Sequence, residues 1–382
     1  MKAQRKEWIK RKIEAVKLGG YVFGDSIKSV EQRFGIKRSE ILKLDSNENF
    51  FIPKDKIAKI ILEVVENFDP RLYPQEEDQE LREKLSAYLG ISADCISVGS
   101  GSDELMERVT RLFLESGEQA LSISPTFSMY RHAVSLQKAE LLEVPLREDF
   151  SLDVNGLMAK ITPKTRVLFL CSPNNPTANQ FKTDEIECLA EAFPGIVVVD
   201  EAYVEFAEHS VVQLTGKFEN LMVLRTFSKA FGLASLRLGY CIATAEIAET
   251  LSRKVGLPYP VNSIALRVGA KILENRSIVE NAIKKAKRER EKLVKALNNV
   301  NGVKAFDSQT NFVLFRTDKP YPEVYQGLLK KGIIVKNLGN ILKFNNCFRA
   351  TVGLPEMNAR LVEALKEVTA KLLGKVNTCE SF

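Results

Sequence analysis

The strongest regularity in the chain is an alternation, from about residue 80 onward, of short apolar runs with stretches whose apolar residues recur at helical spacing. Runs such as 167–170 and 196–199 are apolar on both faces, which is typical of buried parallel strands covered by helices. The runs predict strands over residues 119–123, 140–144, 166–171, 196–200, 221–226 and 237–243. The pattern therefore predicts an α/β fold whose large domain holds a mostly parallel sheet flanked by helices.

The pattern changes after Pro258. A long helical region over 263–299 is followed by predicted strands and helices over 311–316, 322–331, 333–335, 348–352 and 355–373. We interpret this part as a smaller α+β domain. The first 20 residues are basic and place Trp8, Ile9, Ile13 and Val16 at helical spacing, which predicts an amphipathic arm that packs on the body or on a partner subunit. The expected division is 46–265 for the large domain, with 1–45 and 266–382 forming the small domain and the arm.

Composition narrows the classes of function. The 382 residues are 45% hydrophobic and 27% charged, as in an ordinary globular protein. A net charge of +6 from 55 basic and 49 acidic residues is a small excess and predicts no nucleic-acid partner. No apolar run approaches the roughly 20 residues that cross a bilayer, so no membrane partner is expected. Six cysteines without a C-x-x-C pair predict reduced thiols in a cytoplasmic protein, and two histidines exclude a histidine-rich metal site.

Lys229 is the first candidate for chemistry. It lies in Arg225-Thr-Phe-Ser-Lys-Ala-Phe-Gly232, just past a buried strand, where α/β sheets bind ligands. A lysine there, flanked by Thr226 and Ser228, suits a Schiff base with an aldehyde cofactor. The two hydroxyls, with Arg237 after them, suit a phosphate anchor. Taken alone, however, a lysine at a strand end is more often simply solvated.

Two further polar segments follow strands. Asp200 ends a fully apolar strand, where a carboxylate is costly without a cation such as a protonated pyridine nitrogen. Tyr203 and Asn175 lie where they can donate to a phenolate oxygen of the same ring. Asp200 could instead cap the following turn, and Ser172-Pro-Asn-Asn-Pro-Thr177 could be only a turn.

A glycine turn, Val98-Gly-Ser-Gly-Ser102, opens an amphipathic helix. The free N–H groups of Ser102 and Asp103, with the helix dipole, form a candidate anion site. No Gly-Lys-Ser/Thr follows, so the segment is not a nucleotide-binding phosphate loop. Capping of the helix by Ser102 explains the same residues equally well.

These segments together resemble the fold-type I pyridoxal-phosphate (PLP) enzymes, and most closely the histidinol-phosphate aminotransferase family. The resemblance spans about residues 21–373. It is carried, in the family's order, by Leu44–Asn49, Tyr73–Pro74, Gly101–Glu104, Pro125–Tyr130, Ser172–Thr177, Asp200–Tyr203, Arg225–Phe231 and Arg349–Gly353. It implies a seven-stranded, mostly parallel sheet, pyridoxal 5'-phosphate as cofactor and a homodimer.

The resemblance also implies a role for each candidate residue. Lys229 is the Schiff-base lysine and moves the proton between substrate and cofactor. Asp200 pairs with the pyridinium, while Asn175 and Tyr203 hold the phenolate oxygen and Phe127 stacks on the ring. The phosphate is held by Thr226, Ser228, Arg237 and the N–H groups of Ser102 and Asp103. Tyr73 reaches the phosphate in the neighbouring subunit.

The substrate residues implied by the resemblance are Arg349, Asn47, Tyr21 and Lys336. Arg349 grips an α-carboxylate, Asn47 lies in the loop over the substrate, and Tyr21 and Lys336 meet the substrate phosphate. The sequence departs from the family in having Phe127 for tyrosine, Ala178 for glycine and Lys336 for arginine. If position 178 needs a positive φ, alanine adds strain there.

The function expected from the resemblance is transfer of an amino group from histidinol phosphate to 2-oxoglutarate, in histidine biosynthesis. An aromatic amino-acid aminotransferase and a threonine-phosphate decarboxylase are the nearest alternatives. The stretch Arg349-Ala-Thr-Val-Gly353 favours the aminotransferase over the decarboxylase, although Arg349 would bind a carboxylate in both, so the preference rests on the residues around it. A non-catalytic binding protein and a nucleotide-binding module are the alternatives from other classes.

Overall fold

A computed structural model describes residues 2–14 and 24–373. Its helices are α1 Lys2–Glu14, α2 Ile27–Phe34, α3 Lys54–Glu66, α4 Glu77–Leu89, α5 Ser102–Phe113, α6 Met129–Leu136, α7 Val154–Ala159, α8 Thr183–Ala192, α9 Ala245–Glu249, α10 Ser263–Glu274, α11 Arg276–Asn298, α12 Tyr321–Leu329 and α13 Pro355–Leu373. A π-helical segment, Thr250–Val255, follows α9 directly.

The strands are β1 Leu42–Lys43, β2 Ile96–Gly99, β3 Gln119–Ser124, β4 Glu140–Pro145, β5 Thr165–Cys171, β6 Ile196–Asp200, β7 Leu221–Thr226, β8 Gly239–Ile242, β9 Val303–Ala305, β10 Phe312–Thr317, β11 Ile333–Ile334, β12 Lys336–Ile341 and β13 Phe344–Thr351. The central sheet has seven strands in the order β2-β8-β7-β6-β5-β3-β4. Its pairings are parallel except those of β8, which runs antiparallel to both neighbours. This confirms the predicted fold class.

Alternation along the central strands builds a core on each face of the sheet. In β5, Leu168 and Leu170 pack into one buried cluster, whereas Val167 and Phe169 pack into another. Successive side chains of a strand point to opposite faces, so a strand that is apolar throughout must be covered on both sides. Helices on the two faces provide that cover, which leaves the strand ends as the accessible edge.

The second sheet is antiparallel, with the order β12-β13-β10-β9. A short parallel pair, β1 with β11, joins the segment before the large sheet to the C-terminal part through Leu42 opposite Ile333. The long helical region predicted over 263–299 consists of two helices, α10 and α11, which divide at Asn275. The Asn275 side chain donates to Lys271 O at 2.9 Å and closes α10 before α11 begins. The proposed domain boundaries stay a prediction.

The arm is helical over α1, as its spacing predicts. Trp8, Ile9 and Ile13 are 54%, 44% and 68% exposed in the single chain, so this part of the arm does not pack on the body. Across residues 2–14 and 24–373, no helix combines the length and apolar character needed to span a membrane.

Candidate active site

The candidate residues converge because three parallel strands end side by side. Cys171 of β5 lies opposite Asp200 of β6, and Asp200 lies opposite Leu224 of β7. The segments that follow these strands therefore emerge at one edge of the sheet, as the sequence predicts.

Lys229 lies at this edge and is half-buried. Its Nζ donates to Ser46 O at 2.9 Å and lies 6.0 Å from the centre of the Tyr203 ring. Burial, together with the positive charge of Arg349, lowers the pKa of the Lys229 amine to about 8. A substantial neutral fraction near physiological pH gives this amine the nucleophilic and basic character that imine chemistry requires.

Asp200 is 2% exposed at the end of β6. One carboxylate oxygen accepts from Ala202 N–H at 3.1 Å, so the turn-capping role considered from the sequence is also present. The other oxygen accepts from the Tyr130 hydroxyl at 3.0 Å. Burial raises the pKa of Asp200 to about 7, which means that a cation beside the carboxylate would be strongly favoured.

Tyr130 is the functional residue that the sequence analysis did not single out. It is fully buried in α6, stacks on Phe169 with ring centres 5.0 Å apart, and meets Phe127 edge to face at 5.8 Å. One signal could have found it: a buried aspartate needs hydrogen-bond donors, and Tyr130 closes a segment already assigned to the site.

Tyr203, Asn47, Asn175 and Arg349 form the opposite wall. Asn47 donates through Nδ2 to the Tyr203 hydroxyl at 2.9 Å, and its N–H donates to Thr351 Oγ1 at 2.9 Å. Arg349 donates through one Nη to Asn175 Oδ1 and through the other to Asp45 O, both at 2.5 Å. Residues far apart in the chain, from both sheets, are thus held together. The Oδ1 of Asn47 is buried with no hydrogen-bond partner among the described residues, so this oxygen can accept a hydrogen bond from a bound molecule.

The glycine turn and the lysine segment meet at the N-terminus of α5. Gly101 precedes the helix with φ +86° and is its N-cap, so Ser102 is the first helical residue and does not cap the helix. Arg237 donates to Ser228 Oγ at 3.3 Å and pairs with Asp103 at 3.2 Å. Arg237 itself has φ +51°, which is not an extended conformation, and for this reason β8 begins at Gly239 and not at 237 as predicted.

The start of α5 brings together the donors of an anion site. A Cβ at Gly239 would lie 2.5 Å from Ser102 N, so glycine is required where β8 passes the helix start. The N–H groups of the first helical turn have no intrahelical acceptor, and Ser228 and Arg237 lie beside the same helix start. Thr226 is engaged inside the turn, where its hydroxyl accepts from Ser228 N–H at 3.1 Å and donates to Leu238 O at 3.3 Å. An anion cradle, a buried carboxylate and a weakly basic lysine are the groups that pyridoxal phosphate requires.

The remaining predicted residues lie around this centre. Tyr73 is 73% exposed and stacks on Tyr259 with ring centres 4.9 Å apart, at the surface of the chain. Lys336 lies opposite Arg349 in the β12–β13 ladder and lines a cavity of about 520 Å³ with Ser26, Ser29 and Tyr325 among its other walls. Burial and Arg349 lower the pKa of Lys336. Tyr21 lies outside the described residues.

Ala178 has φ +67° and is fully buried beside Tyr203. The sequence analysis expected strain if this position needed a positive φ, and the backbone does adopt one. An alanine held in the left-handed region costs about 1–2 kcal/mol relative to its preferred conformations.

Comparison with known proteins agrees with this geometry. The family model for aminotransferases of class I and II matches residues 39–365. The histidinol-phosphate aminotransferase of Thermoanaerobacter pseudethanolicus is 37% identical over 328 residues, which are 85% of this chain and 92% of that protein. That of Methanosarcina mazei is 36% identical over 369 residues, or 96% of this chain and 98% of that protein.

A solved structure shares the fold. The histidinol-phosphate aminotransferase of Sinorhizobium meliloti, in complex with pyridoxal-5'-phosphate, superimposes with a TM-score of 0.83 at 24% identity, covering 94% of this chain and 98% of that chain. The fold and the site define a fold-type I enzyme that depends on pyridoxal phosphate. The chain belongs to the class I and II aminotransferase family. It is a PLP-dependent aminotransferase.

Proposed function

We propose that this aminotransferase moves an amino group from histidinol phosphate to 2-oxoglutarate. The observation that carries the proposal is a pair of cations, Arg349 and Lys336, which lie opposite each other in the β12–β13 ladder, with Lys336 also lining the adjacent cavity. Glutamate and 2-oxoglutarate carry two carboxylates, whereas histidinol phosphate carries a phosphate and no carboxylate. Two cations in one site suit both partners of the exchange. The names of the relatives that align over most of the chain support the same choice.

The residues that would hold the cofactor divide by the part that they meet. We assign the ring nitrogen to Asp200, the phenolate oxygen to Asn175 and Tyr203, and the ring face to Phe127. The phosphate is assigned to Ser228, Arg237, Thr226 and the N–H groups of Ser102 and Asp103. When bound, pyridoxal phosphate supplies an electron-withdrawing ring that makes the substrate α-proton acidic.

The protein's own part in the proposed reaction is to move that proton and to orient the substrate. The neutral amine of Lys229 takes the α-proton from the substrate, and the protonated amine then gives it to the cofactor. A pKa of about 8 allows the neutral and the protonated amine to coexist near neutral pH. Arg349, 8% exposed, fixes the α-carboxylate of glutamate, and Asn47 closes over the substrate.

A substrate panel tests the proposal. Histidinol phosphate, phenylalanine, tyrosine and threonine phosphate should be compared as amino donors with 2-oxoglutarate. We expect the highest kcat/KM for histidinol phosphate, and Lys336→Met should lower that value about tenfold or more while phenylalanine turnover changes little. A preference for tyrosine, or release of CO₂ from threonine phosphate, would select one of the alternatives instead.

We further propose a homodimer in which each Tyr73 serves the partner's site. The exposure of Tyr73 and of Leu72, Leu257 and Tyr259 around it supports a covered face, because large apolar side chains are normally buried. Mixing two inactive variants, Lys229→Ala and Tyr73→Phe, should restore activity. A mixed dimer then holds one site with Lys229 from one subunit and Tyr73 from the other. If subunit exchange is demonstrated and activity still does not return, Tyr73 acts in the active site of its own subunit and not in that of the partner.

A further inference from the structure

Behind the phosphate cradle lies an ion pair that none of the assigned roles uses. Arg108 and Glu104 are one turn apart on α5, with Nε to Oε1 at 2.6 Å and Nη2 to Oε2 at 2.8 Å. Arg108 is 1% exposed, which is costly for a guanidinium unless its donors are engaged. Neither side chain is among those assigned to the cofactor or substrate.

The pair holds the first half of the glycine turn at two points. Glu104 Oε2 accepts from Ser100 N–H at 3.1 Å, and Arg108 Nη1 donates to Val98 O at 3.2 Å. Gly99 lies between these anchors, and a Cβ there would meet Glu104 Oε2 at 2.6 Å. The path of the turn, and with it the direction of the N–H groups that face the phosphate, is therefore set from inside the helix.

Arg108 also reaches a second segment. Its Nη1 donates to Leu251 O at 3.3 Å, in the π-helical stretch where the backbone ladder is out of α-helical register. A second hydrogen bond between the same two parts of the chain connects Ser252 Oγ with Ser97 Oγ at 2.8 Å. The same segment continues to Tyr259, which stacks on Tyr73 at the subunit surface.

We propose that Arg108, held by Glu104, is a positioning residue for the cofactor phosphate and couples the phosphate cradle to segment 250–259. The proposal rests on the phosphate site assigned above. Loss of the guanidinium leaves the carbonyls of Val98 and Leu251 without their donor and releases the turn from one side. The ring-binding groups, Asp200 and Lys229, are not touched by this change.

The test separates binding of the phosphate from binding of the ring. Apo-protein should be titrated with pyridoxal phosphate and with pyridoxal, for wild type, Arg108→Lys and Glu104→Gln. We expect Arg108→Lys to weaken pyridoxal phosphate binding about tenfold while pyridoxal binding changes less than about threefold. Arg111→Lys is the matched control for cofactor binding, since Arg111 lies on the exposed side of the same helix and its one hydrogen bond within the described part of the chain goes to Val255 O, at 3.2 Å. It should bind pyridoxal phosphate as wild type does.

The outcomes distinguish the inference from its premise. Equal loss of both affinities, or no loss of either in a variant with wild-type circular dichroism, would overturn the positioning role. If wild type itself binds pyridoxal as tightly as pyridoxal phosphate, the phosphate site is wrongly assigned. For the coupling, pyridoxal phosphate should slow hydrogen exchange over 250–259 in wild type and much less so in Arg108→Lys. Equal protection from hydrogen exchange in wild type and Arg108→Lys, or no protection in wild type, would refute the coupling. If Arg108→Lys does not fold, Glu104→Gln carries the same comparison.

Discussion

The hydroxyl of Tyr130 donates to Asp200 Oδ2 at 3.0 Å, in a part of the site that is closed to solvent. The contact connects the Tyr130 side chain, whose ring lies against Phe127, with the carboxylate that we assign to the nitrogen of the cofactor ring. A hydrogen bond to the ionised form of an acid favours that form, so Tyr130 opposes the rise in the pKa of Asp200 that burial causes.

Tyr130→Phe should therefore weaken cofactor binding. We expect about a tenfold loss of affinity for pyridoxal phosphate, because the bond to a charged acceptor is worth about 1.5–3 kcal/mol and part of it is recovered by the pairing with the ring nitrogen. Titration of apo-protein followed by absorbance measures this. Tyr325→Phe is a control of the same chemistry, since Tyr325 donates to Asp25 at 2.9 Å away from the ring site. Unchanged affinity in Tyr130→Phe would mean that the phenol is only packing.

Lys229 should show its low basicity in the pH dependence of covalent attachment. Only the neutral amine attacks an aldehyde, so the rate of attachment should rise with pH and level off above about 8, the pKa of the Lys229 amine. Borohydride trapping at a series of pH values, followed by peptide mass spectrometry, measures the rate and the site. Lys229→Ala should abolish both trapping at this position and transamination. Trapping on another lysine in wild type would contradict the assignment.

Replacing Ala178 by glycine should stabilise the protein. The φ of +67° costs alanine about 1–2 kcal/mol, whereas glycine adopts it freely and pays about 0.5–1 kcal/mol of extra chain entropy. We expect a gain of up to about 1 kcal/mol in the free energy of unfolding, measured in urea. Ala190→Gly, inside α8, is the matched control and should destabilise by a similar amount. A loss of stability in Ala178→Gly would show that the local packing outweighs the backbone strain.

Glu205 should make stability depend on pH. Both of its carboxylate oxygens are buried without hydrogen-bond partners among the described residues, and burial raises its pKa from 4.5 to about 7. The folded state then binds the proton more tightly than the unfolded state. Stability that is present below pH 4.5 is lost as the pH rises toward 7, and the penalty persists above it.

Glu205→Gln removes that penalty. At pH 8 the variant should be more stable than wild type by up to about 3 kcal/mol, whereas at pH 4.5 the two should differ little. Urea unfolding of the apo-protein at both pH values measures the difference, and the exposed Glu208→Gln serves as control. Equal stability at pH 8 would mean that an internal water or cation satisfies the carboxylate.

The local sequence pattern predicts the strands and site residues whose structure depends mainly on their neighbours in the chain. The strands β5, β6 and β7 can be predicted because they are apolar on both faces. Lys229 and Asp200 can be predicted as site residues because ligands bind at the carboxyl ends of such strands. The strands β2 and β12 escape the same reasoning. The first has only four residues and runs directly into the glycine turn, and the second is a half-buried strand that carries Asn337, Gly339 and Asn340.

Contacts between distant segments are not encoded in local pattern. Asn47 and Arg349 are 304 and 174 residues from their partners Thr351 and Asn175, and only the resemblance to a family pointed to them. The roles of Tyr130 and Arg108 depend on which carboxylate or carbonyl the fold brings beside them, and only Tyr130, at the end of a segment already assigned to the site, had a signal in the sequence. The sequence pattern placed Arg108 simply in the amphipathic helix that follows the glycine turn.

The close passage of β8 over the start of α5 has a consequence for reading related genomes. Glycine at 239 lets the strand run in direct contact with the helix start, where one methyl group would lie 2.5 Å from Ser102 N and 2.6 Å from the Gly101 carbonyl carbon. Any side chain there would push the strand and the helix apart and turn the N–H groups of the helix start away from a bound anion. We therefore expect a relative with a larger residue at this one codon to bind vitamin B6 phosphate weakly, even where every other site residue is kept.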